Sequence, residues 1–372
     1  MTNYRTGMKK RQRRKKRKKI ILYVLLPILL IATGALSYTG YLTWKLANAT
    51  ENARFGLDRG DKSELRIKPV DPGKDNISVL FIGVDEREGD EPIRADAMVL
   101  TTFNKRDHSI KMVSIPRDTR VKIPERGKYD KITHAHAFGG VDLTVDTIEE
   151  LFNIPIDYYV KLNFIAFVEM IDTLGGVEVD VPFSFSEQDS TDNAGAITLK
   201  KGKQTLNGEE ALAFARMRKQ DPEGDIGRGK RQMILIEALI NKAANIKSVT
   251  KYDNLIDDFG KNYASNLSFG NIVALQSYAK SLRDIESYQI QGSDKRINDT
   301  YYYEPDDDSV EAISAMLQGH LDYKPKGITE SRGTPKSAEK YRINPEDEKE
   351  KKKTIQEDDY ESDFESDYEN DY

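Results

Sequence analysis

The sequence predicts an α/β (α+β) sandwich, in which helices flank a central mixed β-sheet, preceded by one transmembrane helix. Three observations support this prediction. Short apolar runs with strand character alternate with segments of helical period between residues 76 and 324. An uncharged apolar segment, 20–44, comes before this region. Residues 325–372 contain few apolar side chains and end in an acidic repeat, so the folded domain is expected to end near residue 324.

The predicted elements follow one another in an alternating order. The runs with strand character are residues 77–84, 97–104, 109–116, 158–162 and 177–181. The segments with apolar residues at helical spacing are 142–154, 163–176, 208–218 and 229–243. Alternation of this kind is typical of a sheet that is covered by helices. Such sheets bind ligands at the carboxyl ends of their strands, so the residues that follow the strands are candidate site residues.

The amino-terminal part of the chain predicts a membrane anchor. Residues 1–19 contain eleven Lys or Arg and no acidic residue, whereas residues 20–44 are twenty-five residues without a charge. A helix of this length crosses ~30 Å of hydrocarbon, and the positive-inside rule keeps its basic end in the cytoplasm. Ala47, Asn48 and Ala49 offer a signal-peptidase site, but the apolar stretch is longer than that of a signal peptide. We expect a single-pass membrane protein whose amino terminus is cytoplasmic and whose main domain is outside.

Charge and composition exclude several classes of protein. The chain has a net charge of −5 and no cysteine, which excludes disulfides, thiolate zinc sites and cysteine nucleophiles. The basic residues 1–19 adjoin the apolar segment, which favours a topology signal over nucleic-acid binding.

The last sixteen residues contain nine acidic residues and no basic one. We expect a stalk over residues 45–75, a folded domain over 76–324 and a disordered acidic tail over 325–372.

One cluster of positive charge contrasts with this acidic background. The segment FARMRKQDPEGDIGRGKRQ, residues 214–232, contains the arginines Arg216, Arg218, Arg228 and Arg231. The planar guanidinium fork matches phosphate oxygens and stays charged at any working pH. Arg228 and Gln232 lie four residues apart at the start of a predicted helix, whose amino end also attracts anions. Arg216 and Arg218 would point about 200° apart on a regular helix, so one of them would face solvent unless the helix ends there.

Charged residues also gather at the ends of the first three predicted strands. These residues are Asp85 and Arg87 after the first strand, Arg94 and Asp96 before the second, and Arg117 and Asp118 after the third. Several arginines in one site suggest a ligand with two phosphates rather than one carboxylate. Aspartates are hard oxygen donors that suit Mg²⁺ or Mn²⁺ shared with phosphate oxygens. Asp118 is equally well explained as the ion-pair partner of a neighbouring arginine.

Other constellations in the sequence carry little weight. His134 and His136 have no third ligand spaced to complete a metal site, so a strand or the start of a helix is the simpler interpretation. The sequence has no G-x-S-x-G elbow, no P-loop and no G-x-G-x-x-G motif. The short match Gly227, Arg228 and Gly229 does not indicate a nucleotide site by itself.

Together these motifs resemble those of a known family. The stretch from about Asn76 to Tyr323 resembles the LytR–CpsA–Psr (LCP) domain of Gram-positive cell envelopes. The motifs that carry the resemblance are LFIGVDER, IRADAMVLTTFN, KMVSIPRDTRVKIP, DKITHAHAFGG, DTLGGVEVDVP, GKQTLNGEEALAFARMR and DIGRGKRQ, in this order. A basic cytoplasmic stub with one membrane span is also the usual layout of this family. The resemblance implies an LCP-like fold for the domain.

The resemblance further implies an enzyme, a glycopolymer–peptidoglycan phosphotransferase. Members of the family move a glycopolymer, often wall teichoic acid, from undecaprenyl pyrophosphate to the C6 hydroxyl of N-acetylmuramic acid and form a phosphodiester. The implied partners are the lipid-linked glycopolymer, peptidoglycan and the membrane, with no nucleic acid. Two alternatives stay open, a prenyl-pyrophosphate hydrolase that uses the same residues and a non-catalytic sensor of lipid-linked wall intermediates.

The resemblance also implies roles for individual residues. Asp85 and Asp96 match the metal-site aspartates of the family, which would hold Mg²⁺ or Mn²⁺. The positions that match pyrophosphate-binding residues are Arg87, Arg94, Arg117, Arg216, Arg218, Arg228 and Gln232. The catalytic set is Asp85, Asp96, Arg117 and Asp118, and the proton acceptor is Asp118, Asp225 or a metal-ligating aspartate. Glu86 departs from the family, which commonly has Ser or Thr there, and adds a negative charge near the metal.

Overall fold

The computed structural model describes residues 40–41, 55–86, 92–244, 263–275, 277–278, 281, 284–325 and 338–343. The predicted stub, nearly all of the predicted membrane span, Arg87 and the acidic end of the tail lie outside these ranges. Among the helices within them, none is both long and apolar enough to cross a membrane.

The strands and helices alternate along the chain as the sequence predicts. The strands are β1 (Ile77–Val84), β2 (Ala95–Asn104), β3 (Ser109–Ser114), β4 (Arg120–Ile123), β5 (Lys128–Lys131), β6 (Tyr158–Asn163), β7 (Val177–Val181), β8 (Phe185–Glu187), β9 (Ile197–Leu199), β10 (Gly202–Leu206), β11 (Tyr263–Ser265), β12 (Ile285–Gln289), β13 (Gly292–Ile297) and β14 (Thr300–Pro305). The α-helices are α1 (Thr133–Phe152), α2 (Phe164–Thr173), α3 (Gly208–Arg216), α4 (Asp225–Ala244), α5 (Phe269–Leu275) and α6 (Asp307–His320).

A six-stranded sheet with the order β11-β6-β1-β2-β3-β12 forms the centre of the domain. Strand β1 runs antiparallel to β2 and parallel to β6. Strand β3 runs antiparallel to β2 and parallel to β12. The prediction of a central mixed sheet flanked by helices is therefore confirmed.

The two faces of this sheet pack against different helices. Leu80 and Ile82 of β1 belong to a core with α1 and α6, whereas Val79 belongs to a core with Met233 of α4. Because successive side chains of a strand point to opposite faces, one apolar run serves both cores. This burial on both faces explains why 77–84 is apolar throughout rather than alternating with polar residues.

A smaller core lies beside the sheet and positions the arginine-rich segment. Ile171 of α2, Val179 of β7, Phe214 of α3 and Leu235 of α4 are buried together in it. Helix α2 begins with Asn163, whose side chain accepts a hydrogen bond from the Ala166 backbone. Helix α3 begins with a capping box in which the side chains of Asn207 and Glu210 each accept from the other residue's backbone N–H. These caps fix where both helices start.

Helix α1 begins earlier than the apolar pattern of 142–154 predicts. It starts at Thr133 and bends at Gly139 and Gly140, whose backbone leaves the helical region. His134 and His136 lie in its first turn, which confirms the helix-start interpretation. The His134 ring bonds Asp130 at 2.9 Å, and His136 Nδ1 lies 3.1 Å from the Ile93 carbonyl oxygen.

Residues 55–75 of the predicted stalk lie against the domain. The Arg59 guanidinium bonds Glu149 Oε2 and the Ile156 carbonyl oxygen, each at 2.7 Å. Arg66 forms a second ion pair, with Asp157 at 2.7 Å. The chain that enters the domain is thus attached to it by buried charges before β1 begins.

One short stretch of the predicted disordered tail is packed against the domain. Residues 338–343 bring Arg342 within 3.1 Å of Glu286 Oε1 and bury Tyr341. The Ile343 N–H donates to the Ser287 carbonyl oxygen at 2.8 Å, beside β12. The prediction of disorder over 325–372 is therefore too broad for these residues, because a few apolar side chains suffice to cover the exposed edge of β12.

Candidate functional site

An apolar cavity of about 620 Å³ lies between the central sheet and helices α2 and α4. Its inner wall consists of aliphatic and aromatic side chains, including Phe81, Val160, Phe167, Met170, Ile236 and Leu239. Phe81 and Val160 come from the sheet, and the others come from the helices that cover it. A cavity with these walls suits a hydrocarbon chain, because it offers apolar contact and few polar partners.

The cavity mouth gathers most of the predicted site residues. The predicted residues that line the cavity are Asp85, Asp96, Arg117, Arg216, Arg218, Arg228 and Gln232. Among the described residues, five cationic side chains and three carboxylates line the cavity, which leaves an excess of positive charge at one end of an apolar space.

Two of the predicted residues that the structure describes do not line the cavity. Arg94 is exposed and is not part of the cavity wall. Asp118 is buried behind Arg117, and Arg87 lies outside the described residues. The roles assigned to Arg87 and Arg94 stay predictions.

The strand register explains why two distant aspartates meet. Val84, the last residue of β1, pairs with Ala95 at the start of β2, with a register shift at Gly83 and Val84. Asp85 follows the first of these residues and Asp96 follows the second, so both carboxylates lie at one edge of the sheet. The sequence predicted that Asp85 and Asp96 lie close together, because binding sites form at strand ends in sheets of this kind.

Arg117 links the aspartate pair to the rest of the mouth. Its Nη1 donates to Asp96 Oδ1 at 2.7 Å, and its Nε lies 3.6 Å from Asp118 Oδ2. Asp118 Oδ1 in turn lies 2.6 Å from Lys131 Nζ. Burial lowers the pKa of Arg117, but the hydrogen bond and charge of Asp96 outweigh burial and raise the pKa above its usual value. Arg117 is thus fixed in position and permanently charged.

A second group of charges shares a single carboxylate. Asp225 Oδ1 lies 3.3 Å from Arg228 Nη2 and 3.5 Å from Arg218 Nη1. Burial lowers the pKa of Arg228; Asp225 opposes this effect, whereas the charge of Arg117 adds to it. One carboxylate does not offset two guanidinium groups, so an anion bound at the mouth would be favoured by both.

Arg216 reaches the same mouth because helix α3 ends at this residue. The next residue, Met217, has ψ 131° and leaves the helix, so Arg216 and Arg218 escape the divergence expected on a regular helix. The Arg216 guanidinium lies 3.2 Å from Asp192 Oδ1 and stacks 4.8 Å from the Phe164 ring centroid. Both predicted arginines of this pair line the cavity.

Arg231 holds the turn between the two halves of the arginine-rich segment. It is 2% exposed, pairs with Asp221, and donates to the carbonyl oxygens of Phe214 and Met217. These bonds join the start of α4 to the end of α3. Arg231 is therefore structural, and it is not among the residues predicted to bind pyrophosphate.

Two glycines allow the first turn of α4 to approach its neighbours. A Cβ atom at Gly229 would lie 2.3 Å from Ser114 Oγ, and one at Gly227 would lie 2.0 Å from Asp221 Oδ2. Because Arg228 lies between them, this close packing brings its guanidinium to the sheet edge. The sequence contains this signal as the triplet of residues 227–229, which is too short to interpret without the structure.

The charge of Glu86 is matched within the domain. Its Oε2 lies 3.2 Å from Lys161 Nζ on the neighbouring strand β6. The departure from the family at this position therefore adds an ion pair beside the aspartates rather than an isolated negative charge.

Asp85 and Asp96 fit a divalent cation that would be shared with a phosphate ligand. Within the described ranges, no group of three or more His, Cys, Asp or Glu residues could hold a metal by itself. Mg²⁺ is commonly held by one or two carboxylates, together with substrate phosphates and water. The donor set at the mouth is consistent with that kind of site.

Comparison with known proteins finds a matching family and similar relatives. The LytR_cpsA_psr family matches residues 40–319 of the chain. The polyisoprenyl-teichoic acid–peptidoglycan teichoic acid transferase TagT of Bacillus subtilis (strain 168) is 43% identical over 302 residues, which cover 80% of this chain and 92% of TagT.

Two solved structures of similar proteins contain ligands. TagT bound to LIIa-WTA has a TM-score of 0.63 and 43% identity, over 72% of this chain and 99% of that one. YwtF (TagT) with bound octaprenyl pyrophosphate lipid has a TM-score of 0.59 and 40% identity, over 72% and 99% of the two chains. The mixed sheet, its covering helices and the ordered motifs agree with these similarities, and the chain belongs to the LytR_cpsA_psr family.

Proposed function

We propose that this protein is a membrane-anchored, extracytoplasmic transferase that moves a glycopolymer, wall teichoic acid or a related anionic polymer, from a polyprenyl pyrophosphate to peptidoglycan. One observation carries the proposal: an apolar cavity opens into a mouth lined by Arg117, Arg216, Arg218 and Arg228. A polyprenyl pyrophosphate joins the two chemistries that this arrangement accommodates, a long hydrocarbon and two phosphates. The relative TagT, whose structure holds an octaprenyl pyrophosphate lipid, supports the same assignment.

In the proposed reaction, the C6 hydroxyl oxygen of N-acetylmuramic acid in peptidoglycan attacks the phosphorus that carries the polymer. The bond between this phosphorus and the bridging oxygen breaks, and undecaprenyl phosphate leaves with that oxygen. The hydroxyl proton passes to a carboxylate at the mouth, and a phosphodiester joins polymer and wall. Phosphoryl transfer of this kind depends mainly on positioning and on neutralising charge.

Different residues of the mouth would have different roles in this reaction. Arg218 and Arg228 would bind the pyrophosphate oxygens, which would compete with the Asp225 carboxylate for these two guanidinium groups. Gln232 lies one turn after Arg228 on the same face of α4. Arg117, held by Asp96, would stabilise negative charge that develops in the transition state. Asp85 and Asp96 would hold Mg²⁺ or Mn²⁺, whose charge would neutralise phosphate oxygens of the donor.

The predicted membrane span gives this chemistry a location. A carrier with a long prenyl chain stays in the bilayer, so a domain anchored by residues 20–44 would remain close to its donor. Protease treatment of intact protoplasts tests this location. Digestion of the domain on the outer surface is expected, and full protection of the domain would contradict an extracytoplasmic site.

The test of function uses the full-length chain in detergent with a lipid-linked teichoic acid precursor, with and without peptidoglycan. Transfer predicts polymer linked to peptidoglycan and prenyl phosphate released in proportion to it. Equal release of prenyl phosphate with and without peptidoglycan, and no linked polymer, would identify a hydrolase. Binding of the precursor without any release would identify a sensor.

Two variants connect this activity to the mouth. Arg228→Ala and Asp96→Ala are each expected to lower the transfer rate by about 10²- to 10³-fold, the usual cost of losing a group that stabilises transition-state charge. Lys230→Ala is the matched control, because Lys230 pairs with Glu223 and does not line the cavity. Equal rates for Arg228→Ala and Lys230→Ala would contradict the proposed site.

A further inference from the structure

A β-hairpin outside the cavity is joined to the segment that carries Arg117. Strands β13 and β14 form this hairpin, and most of its residues are exposed or half-buried. The Tyr303 N–H donates to the Asp118 carbonyl oxygen at 2.9 Å, and Tyr303 forms a bridge with Thr119. Glu304 adds an ion pair with Arg120 at 3.0 Å. The hairpin is therefore fixed to the backbone that immediately follows Arg117.

Two half-buried tyrosines of the hairpin lie beside a buried ion pair. The Lys131 ammonium lies 5.7 Å from the Tyr301 ring centroid and 5.9 Å from the Tyr302 ring centroid. The same ammonium contacts Asp118 Oδ1 at 2.6 Å. The Lys131 ammonium thus lies next to both rings and to the buried Asp118, and we call Tyr301, Tyr302 and Lys131 the tyrosine platform.

The tyrosine platform is connected to the arginine-lined mouth through Asp118, which contacts both Lys131 and Arg117. The Tyr301 hydroxyl donates to Asp294 Oδ1 at 2.8 Å. Burial raises the pKa of Tyr301, and the bond to Asp294 and the charges of Asp118 and Asp225 raise it further, so the phenol stays protonated. Asp118 and Asp225 are the carboxylates that contact Arg117 and Arg228. The tyrosine therefore shares its electrostatic surroundings with the groups that would hold the donor phosphates.

The chemistry of the platform differs from that of the cavity. Aromatic faces, a phenol, an ammonium and carboxylates offer stacking surface together with donors and acceptors, which suits a hydroxyl-rich saccharide rather than a hydrocarbon. The hairpin itself has three acidic residues, Asp294, Asp299 and Glu304, and two basic ones, Lys295 and Arg296. It therefore has no excess of positive charge to attract a polyanion such as teichoic acid, whereas an uncharged glycan backbone is not repelled.

The geometry of the reaction makes an acceptor surface necessary at this place. The cavity would be filled by the prenyl chain, so the attacking hydroxyl has to reach the phosphorus from outside the cavity. An in-line displacement also requires that it enter opposite the leaving group. A platform on a hairpin that is bonded to the backbone directly after Arg117 lies outside the cavity and satisfies the first condition. Its connection to Arg117 through Asp118 would let it orient a sugar for the second.

We propose that the tyrosine platform binds the glycan strand of the acceptor and presents its hydroxyl to the donor at the mouth. This inference rests on the proposed transferase function and extends it by assigning the acceptor to Tyr301, Tyr302 and the hairpin that carries them. It makes these tyrosines positioning residues for the second substrate.

The test measures initial transfer rates of the full-length chain while the concentration of soluble peptidoglycan glycan strands is varied at fixed lipid-linked donor. Tyr301→Ala, Tyr302→Ala and the double variant are compared with the wild-type chain. We expect the KM for the glycan to rise about tenfold for a single variant, the size of one lost aromatic contact, and more for the double variant. The KM for the donor is expected to stay at the wild-type value.

Two controls separate the platform from the fold of the hairpin. Tyr301→Phe keeps the ring and loses only the bond to Asp294, so the KM for the glycan should return towards that of wild type. Thr300→Ala changes an exposed residue of the same strand and should leave both KM values unchanged. Thermal unfolding of each variant checks that the domain is still folded.

The outcomes distinguish this inference from the proposed function. Absence of transfer by the wild-type chain would overturn the transferase function itself. Normal transfer with an unchanged glycan KM in the double variant would overturn the platform alone. A rise in the donor KM instead of the glycan KM would also overturn it, because the hairpin would then contact the donor polymer.

Discussion

The arginines at the two ends of the central sheet differ in whether each has a carboxylate of its own. At the end where β1 begins, Arg66 donates to both carboxylate oxygens of Asp157, at 2.9 and 2.7 Å. Asp157 also accepts from the backbone and the hydroxyl of Ser78. Arg66 and Asp157 therefore satisfy each other, so this ion pair has no capacity left for a ligand.

At the mouth end, the guanidinium groups share their carboxylates. Asp225 serves both Arg218 and Arg228, and Arg117 Nε has no hydrogen-bond partner among the described residues. The difference shows that arginine content alone does not identify an anion site. A matched buried pair indicates structure, whereas several cations around one carboxylate indicate a place for an anion.

The largest effect on stability is expected at the matched end. Arg66→Ala would leave the Asp157 carboxylate buried without its partner, and breaking a buried pair costs about 3–5 kcal/mol of unfolding free energy. Denaturant unfolding of the purified chain measures this loss. Arg106→Ala is the control, because Arg106 forms only exposed ion pairs, and its unfolding should match that of wild type. Similar stability of both variants would refute the contrast between the two ends.

A smaller effect is expected from a buried histidine at the same end. His320 lies between Thr102 Oγ1 at 2.8 Å and Ser109 Oγ at 2.9 Å. Burial lowers the pKa of His320 to about 3, and the charge of Lys111 contributes to this shift. Between about pH 3 and pH 6.5, His320 therefore binds a proton in the unfolded chain but not in the folded chain. Stability is therefore lost as the pH falls through this window.

The pH dependence of unfolding measures this contribution. One proton corresponds to roughly 1.4 kcal/mol of unfolding free energy per pH unit within the window. In His320→Gln, the slope of unfolding free energy against pH between pH 6 and pH 4 should be shallower by about this amount. An unchanged slope would show that His320 is protonated in the folded chain as well.

The sequence predicted much of the mouth because its residues are tied to strand ends. Asp85, Asp96 and Arg117 follow or begin strands whose apolar patterns are clear, so their convergence followed from the fold class. The arginines of residues 214–232 were harder to assign. Whether Arg216 and Arg218 face the same way depends on where α3 ends, and this end is fixed by tertiary contacts of Arg231 rather than by local pattern.

The hairpin of β13 and β14 was missed, although one local signal could have revealed it. Asn298 and Asp299, between the two strands, both have positive φ, which is the backbone of a tight hairpin turn that these residue types tolerate. The flanking residues carry mixed charges and three consecutive tyrosines rather than an alternating pattern. The strands β8 and β9 have three residues each, which is too short for any periodicity to appear.

The smallest effect on stability, and the sharpest test of the comparison, is expected at Arg228. Its guanidinium is buried beside other cations, and that burial lowers its pKa, so its charge does not stabilise the fold as Arg66 does. Removing it in Arg228→Ala leaves Asp225 still paired with Arg218. We expect the unfolding free energy to stay within about 1 kcal/mol of wild type, although the transfer rate is expected to fall by about 10²- to 10³-fold. A loss as large as that of Arg66→Ala would mean that the mouth is a structural cluster and not an anion site.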